Sequence, residues 1–133
     1  MIGNVDYAVS INQNTRLIRS RSDSLSAPYV IPYDFDYCGL VNADYAVPLP
    51  EYTDVISVTD RKYLGFPRSM DELEVVFELF RNNHADIDSL IQQQEGLTPQ
   101  NKKWMTGYIN EYYNIIKDRK EAKRIFINNA RRQ

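Results

Sequence analysis

Apolar and polar positions follow two different rhythms along the chain, one before and one after about Pro67. In the second half Leu73, Val76, Phe77, Phe80, Ile87, Leu90 and Ile91 recur at helical spacing, which predicts a mainly helical segment from Ser69 to about Gln94. Asn82-Asn83 is the place where that run can break into two helices. Ser69 with Glu72 three residues on is a capping-box signature, and Asp71 suits the positive end of the helix dipole. Gly96 stops the run, and Thr98 followed by Pro99 starts another helix, extending to about Lys117. Its apolar stripe is Trp104, Met105, Tyr108, Ile109, Tyr112, Ile115 and Ile116. Asp118 is placed to begin a last short helix carrying Ala122, Ile125 and Phe126.

The first half alternates differently. Thr15-Arg16-Leu17-Ile18 and Tyr29-Val30-Ile31 are short strand-like runs on either side of the polar stretch Ser20 to Ser26, which predicts a β-hairpin with a long loop. Pro48 and Pro50 exclude regular helix or central strand, so Ala46 to about Phe66 is expected to be an extended loop. The fold class is therefore α+β: a hairpin and irregular loop segment packed on a mainly helical C-terminal layer. A length of 133 residues fits a single domain, with residues 1–67 as the loop and hairpin region and 68–133 as the helical region. Leu17, Val30, Phe35, Phe77, Phe80, Trp104, Tyr108 and Ile109 are expected to share one core.

Composition narrows the partners more than the fold. A hydrophobic content of 43% with 26% charged residues is enough to build a core, which argues against wholesale disorder. The net charge of -2 offers no electrostatic attraction to nucleic acid or to an anionic membrane. The C-terminal basic residues are interleaved with Asp118 and Glu121, as on a solvated helix face. No segment has the run of about 20 apolar residues that a membrane span needs. Cys38 is the only cysteine, so an intrachain disulfide is ruled out. Met1-Ile2-Gly3-Asn4-Val5-Asp6 has neither the basic nor the apolar region of a signal peptide.

Three polar residues carry the most chemistry: Asp6, Asn14 and Asp34, with Asp36 close by in Asp34-Phe35-Asp36. Phosphoryl transfer of the kinase type uses one carboxylate to orient the acceptor hydroxyl. It uses an Asn and a second Asp to hold the magnesium that neutralises charge between the β- and γ-phosphates. Magnesium takes hard oxygen ligands and keeps several waters, so one carboxylate and one amide oxygen from the protein are enough. The hairpin from Arg16 to Ile31 begins just after Asn14 and ends just before Asp34, so its open end should bring both to one cation, with Asp6 a little further off. Asp36 should alternate away from Asp34 along extended backbone and serve the Gly39 turn instead. Asp and Asn are also ordinary turn residues, so a purely structural use of all four stands beside the catalytic one.

The longer motifs point to a family. Met1-Ile2-Gly3-Asn4-Val5-Asp6, Gln13-Asn14-Thr15-Arg16-Leu17-Ile18, and Val30 through Ala43 together resemble an uncharacterised family of bacterial proteins. That family is similar to atypical kinases of the spore-coat-protein-H type. The resemblance extends through Tyr45 to Pro48, Arg61 to Phe66 and the two helices, covering nearly the whole chain. It implies a kinase C-lobe-like fold, with Asp6 as the catalytic-loop Asp and with Asn14 and Asp34 as the metal-binding pair. It implies Mg2+ and ATP as cofactors and export of full-length relatives. Gln13, Tyr7 and Cys38 stand where the family has His, Trp and Ser.

The sequence also lacks a Gly-rich loop and a strand lysine paired with a helix glutamate, which hold nucleotide phosphates in this fold. Because Met1-Ile2-Gly3-Asn4 is mid-domain in the family, the resemblance implies a truncated product, a fragment or a remnant. The expected partner is then the missing N-terminal lobe or a second copy of the chain. The leading function is the metal-binding half of a kinase-like phosphotransferase, inactive alone. The alternative is a non-catalytic binding or scaffold module, and a third is a metal-dependent phosphoester hydrolase using Asp34, Asp36 and Asp6. Arg61, Lys62 and Arg68 are candidates to meet an anionic substrate. His84, the single histidine, is expected to be a surface or capping residue, and Tyr108, Tyr112 and Tyr113 core residues rather than a stacking platform.

Overall fold

The computed structural model describes residues 1–8, 13–23, 25–48, 50 and 54–131, and the chain gathers into two compact units. One comprises Gly3–Lys62; the other comprises Tyr63–Gln133 with Met1–Ile2. Among the described residues there are four α-helices and one two-stranded antiparallel sheet, a small α+β architecture. No helix among them is long and apolar enough to cross a membrane.

In the helical unit, Ser69 accepts from the Glu72 backbone N–H at 3.2 Å, while the Glu72 carboxylate accepts from the Ser69 N–H at 2.9 Å. This reciprocal box starts α1 (Met70–Asn82) and pairs donors that the first turn leaves without helical partners. Asn83 ends it by donating from its side chain to the Leu79 carbonyl at 2.7 Å, an amide competing with the helical ladder. Helix α2 (His84–Gln93) restarts at once, so the break falls at Asn82-Asn83 as the sequence suggests. Thr98 caps α3 (Pro99–Lys117) by accepting from Asn101, with proline in its first turn. Asp118 closes α3 and then caps α4 (Arg119–Lys123), accepting from the N–H groups of Lys120 and Glu121. The chain continues into a π-helical turn, Arg124–Asn128.

Aromatic rings fill the core of this unit. Phe77 and Tyr63 both pack on Phe126, with centroids 5.3 and 5.0 Å apart. Phe80 meets Tyr112 edge-on, and the Tyr113 hydroxyl donates to the Phe80 carbonyl at 2.9 Å, which ties α3 to α1. Tyr108, Ile109, Tyr112, Tyr113 and Ile116 are all buried along α3. Trp104 differs from expectation: it remains 40% exposed, tilted against Tyr108, because it sits in the second turn at one end of the stripe.

In the other unit, β1 (Thr15–Ile18) pairs with β2 (Tyr29–Pro32) in the register Thr15 to Pro32, Arg16 to Ile31, Leu17 to Val30 and Ile18 to Tyr29. Leu17, Val30 and Phe35 were expected in the core and are exposed. The reason is geometric: only Thr15 among the eight strand residues is buried, so the hairpin covers little with either face. The interior here is made instead by Val5, Cys38, Val55 and Val58, all from segments outside the strands. Among the described residues from Ala46 to Phe66 there is neither helix nor strand, and the Asp60 carboxylate holds the turn by accepting from Ile56 and Ser57 N–H at 2.9 Å each.

Candidate functional site

Three short segments of the Gly3–Lys62 unit meet at the open end of the hairpin. The first carries Asp6. Gly3 takes the left-handed backbone at φ 66, and the Asn4 side chain accepts from the Asp6 N–H at 2.9 Å, an Asx turn that fixes the direction of Asp6. The Gly3 carbonyl accepts from the Gly39 N–H at 3.1 Å, and Asn4 bridges to Cys38. The Asp6 loop is therefore stitched to the turn that follows Asp36.

The second segment carries Gln13 and Asn14. Ala8 and Gln13 exchange both backbone hydrogen bonds at 3.0 Å, which returns the chain beside Asp6. Gln13 Nε2 donates to Asp6 Oδ1, and Asn14 Nδ2 donates both to Asp6 Oδ2 at 3.0 Å and to the Asp6 carbonyl at 2.8 Å. Both partners of the Asn14 amide are acceptors only, so its nitrogen must face them and its Oδ1 points elsewhere with both lone pairs. Asn14 adopts φ 48, a left-handed conformation that Asn tolerates better than most residues.

The third segment is Tyr33 to Cys38. The Tyr33 N–H donates to the Asn14 carbonyl at 3.0 Å, extending the hairpin ladder one step beyond Thr15 and Pro32 and placing Asp34 next to Asn14 along the chain edge. Asp34 also has a left-handed backbone, φ 59. That conformation overturns the expected alternation: instead of turning away, the Asp36 carboxyl hydrogen-bonds to that of Asp34. The bond to Asp36 and the charge of Asp36, then burial and the charge of Asp6, push the Asp34 carboxyl above its ordinary range. Asp36 is held in turn by the Tyr37 N–H at 3.0 Å and the Tyr45 hydroxyl at 3.1 Å, and that bond raises the Tyr45 phenol.

The structure thus joins Asp6 to Asn14 by direct hydrogen bonds and sets Asp34 within electrostatic reach of Asp6. Gln13 and Tyr45 join them without having been assigned a role at the site from sequence, and Asp36, assigned there only in the hydrolase alternative, joins them too. Gln13 was visible only as a departure from the family pattern. Among the described residues no three His, Cys, Asp or Glu side chains are grouped to hold one ion. The donors available to a cation are the Asn14 amide oxygen and the Asp34 carboxylate, hard oxygens of the kind magnesium accepts. Of the cationic candidates, Lys62 pairs with Asp54 inside this unit, whereas Arg68 lies 3.9 Å from Glu72 at the start of α1. Comparison with known protein families, curated proteins and solved structures produced no match to the chain.

Proposed function

We propose that Asp6, Asn14 and Asp34 form the metal-binding and catalytic half of a kinase-like phosphotransferase site. The observation that carries this reading is the use of the Asn14 amide. Its nitrogen is wholly committed to Asp6, which leaves its oxygen for a cation, and Tyr33, hydrogen-bonded to the Asn14 carbonyl, is followed directly by Asp34. Asn14 and Asp34 would hold the ion, and bound magnesium would neutralise charge between the β- and γ-phosphates of ATP. Asp6 would orient the acceptor hydroxyl, its carboxylate kept in one pose by Gln13 on one oxygen and Asn14 on the other. Asp34 must lose its proton before it can act as a full anion, so cation binding should strengthen as pH rises through its raised range. Nucleotide clamping is assigned in this reading to a lobe outside the sequence, supplied as a partner.

Manganese, used as a paramagnetic substitute for magnesium, tests the site directly. The electron paramagnetic resonance signal of free Mn2+ should fall when the chain is added together with ATP, beyond the loss that ATP causes alone. The additional loss should disappear in Asn14→Gly, which keeps the left-handed backbone, and in Asp34→Asn. A signal that the chain leaves unchanged at every nucleotide concentration would remove the phosphotransfer reading and favour the scaffold.

A further inference from the structure

The helical unit contains a second polar cluster, unrelated to the carboxylates of the loop unit. His84 opens α2, Asp88 lies one turn later on the same face, and Asn110 reaches in from α3. His84 Nε2 is 3.1 Å from Asn110 Oδ1 and 3.5 Å from Asp88 Oδ2. The other carboxylate oxygen, Asp88 Oδ1, is buried and has no hydrogen-bond partner. The imidazole is fixed from behind by stacking on Tyr113, centroid to centroid 3.7 Å. The Tyr113 hydroxyl is committed to the Phe80 carbonyl and gives the cluster nothing.

The donors and acceptors here do not balance. A carboxylate can only accept, so the nitrogen beside it carries the proton, and the Asn110 group facing that same nitrogen is its oxygen. One N–H then faces two oxygens, Asn110 Oδ1 and Asp88 Oδ2, while Asp88 Oδ1 is left with no donor at all. A buried acceptor without a partner costs on the order of 1–3 kcal/mol, and an unfilled ion or water position is among the usual reasons that one persists. The spacing has room for an ion. With metal–ligand bonds of about 2.1 Å, neighbouring ligand atoms around zinc stand roughly 3.0 to 3.4 Å apart, depending on coordination number. The two separations, 3.1 and 3.5 Å, lie within or just beyond that edge length.

We infer that His84, Asp88 and Asn110 form a site for a divalent first-row transition ion of the zinc type, completed by water. One imidazole nitrogen with carboxylate and amide oxygens suits such an ion better than magnesium, which prefers oxygen alone. The ion would take the place of the Nε2 proton, satisfy Asp88 Oδ1 as well as Oδ2, and clamp α2 to α3 through Asn110. His84 and Asp88 are both about one third exposed, so an ion can enter from solvent without unfolding the helices. Because the unfolded chain holds these residues apart, binding stabilises the folded helical unit by mass action.

Cobalt provides the spectroscopic test and zinc the thermal one. Adding Co2+ to the full chain should produce visible d–d absorption that saturates at one ion from this site, and Zn2+ should raise the melting temperature of the helical signal in circular dichroism. His84→Phe keeps the ring stacked on Tyr113 and removes the nitrogen; Asp88→Asn removes the charge. Each should weaken the Co2+ affinity by about tenfold or more. Asp44→Asn, an exposed carboxylate of the other unit with no part in either site, should leave the Co2+ spectrum and the zinc-dependent rise in melting temperature intact. Absence of a d–d band at millimolar Co2+ would overturn the inference, and so would a band and a thermal shift that survive both His84→Phe and Asp88→Asn.

Discussion

The two units of this chain are held together by different means. In the Tyr63–Gln133 unit, side chains from all four helices bury aromatic and aliphatic surface, and Phe77 and Ile109 are almost completely withdrawn from water. In the Gly3–Lys62 unit the hairpin is mostly exposed, the interior is four small or medium apolar residues with Thr15, and polar side chains do much of the joining. Asn4, Gln13, Asn14, Asp36 and Asp60 each fix a turn or another side chain. Apolar burial tolerates small displacements because it has no direction. Hydrogen bonds to carboxylates fix angle as well as distance. The lesson is that the candidate chemistry sits where geometry is set by directed bonds rather than by bulk.

The largest test of that contrast lies in the helical unit. Phe77→Ala should cost about 3–5 kcal/mol in denaturant melts, since the ring is buried against Phe126. Trp104→Ala, half exposed at the end of the stripe, should cost less than half as much despite removing a larger ring. Equal losses would mean that burial does not rank the contributions in this unit.

A smaller effect is expected in the loop unit, where backbone and hydrogen bonds combine. Asn14→Ala removes two hydrogen bonds to Asp6 and places a β-carbon at φ 48, which should cost about 2–3 kcal/mol together. Asn14→Gly removes the same bonds without the strain, so it should be milder by about 1 kcal/mol. If both substitutions leave the melting of this unit unchanged, directed bonds are not what holds it.

The smallest effect has the opposite sign. Asp34 has a raised carboxyl in the folded state, so the folded unit binds its proton more tightly than the unfolded chain does. The stability from this group is fully present below the unfolded value, near the ordinary 3.8, and is lost as pH rises through the raised folded value. Above that raised range the contribution has gone and Asp34 faces Asp36 and Asp6 as a like charge. Asp34→Asn should therefore raise the melting temperature of the loop unit modestly at pH 7, and the gain should vanish in acid. Asn also accepts the left-handed backbone at this position. A loss of stability at pH 7 would show that the Asp34 carboxylate supports the fold instead of straining it.

The same contrast explains what could be read from the residues in advance. Helices α1 and α3 announce themselves because Ser69 with Glu72, and Thr98 with Pro99, are local signals that need no knowledge of the rest of the fold. The break at Asn82-Asn83 is legible for the same reason. The site is only partly so. Chain order predicts that a hairpin starting after Asn14 and ending before Asp34 sets the two side by side, and the Tyr33 to Asn14 bond lies where that argument puts it. The side-chain directions do not follow from chain order. One left-handed residue at position 34 turns Asp36 toward Asp34, and nothing in an extended-strand reading anticipates that φ. Leu17 and Val30 look like core residues because strand alternation reports two faces without reporting whether either face is covered. His84 reads as a surface or capping residue and is partly exposed at the start of α2, but its contacts with Asn110 and Tyr113 come from another helix, beyond any local pattern.

Cys38 gives the loop unit a built-in clock. The residue is almost wholly shielded at 1% exposure, and burial holds its thiol above the ordinary range, so thiolate is scarce as well as inaccessible. It is the only cysteine in the chain, and it lies in the turn bridged to Asn4 beside the carboxylates. An alkylating reagent can react there only during transient opening of that turn. When reclosing outruns alkylation, the ratio of native to unfolded labelling rates gives the free energy of that opening. Because the helical unit carries no thiol, the reading belongs to the loop unit alone, and a ligand that stiffens the carboxylate loops would register as slower labelling without any reporter being added.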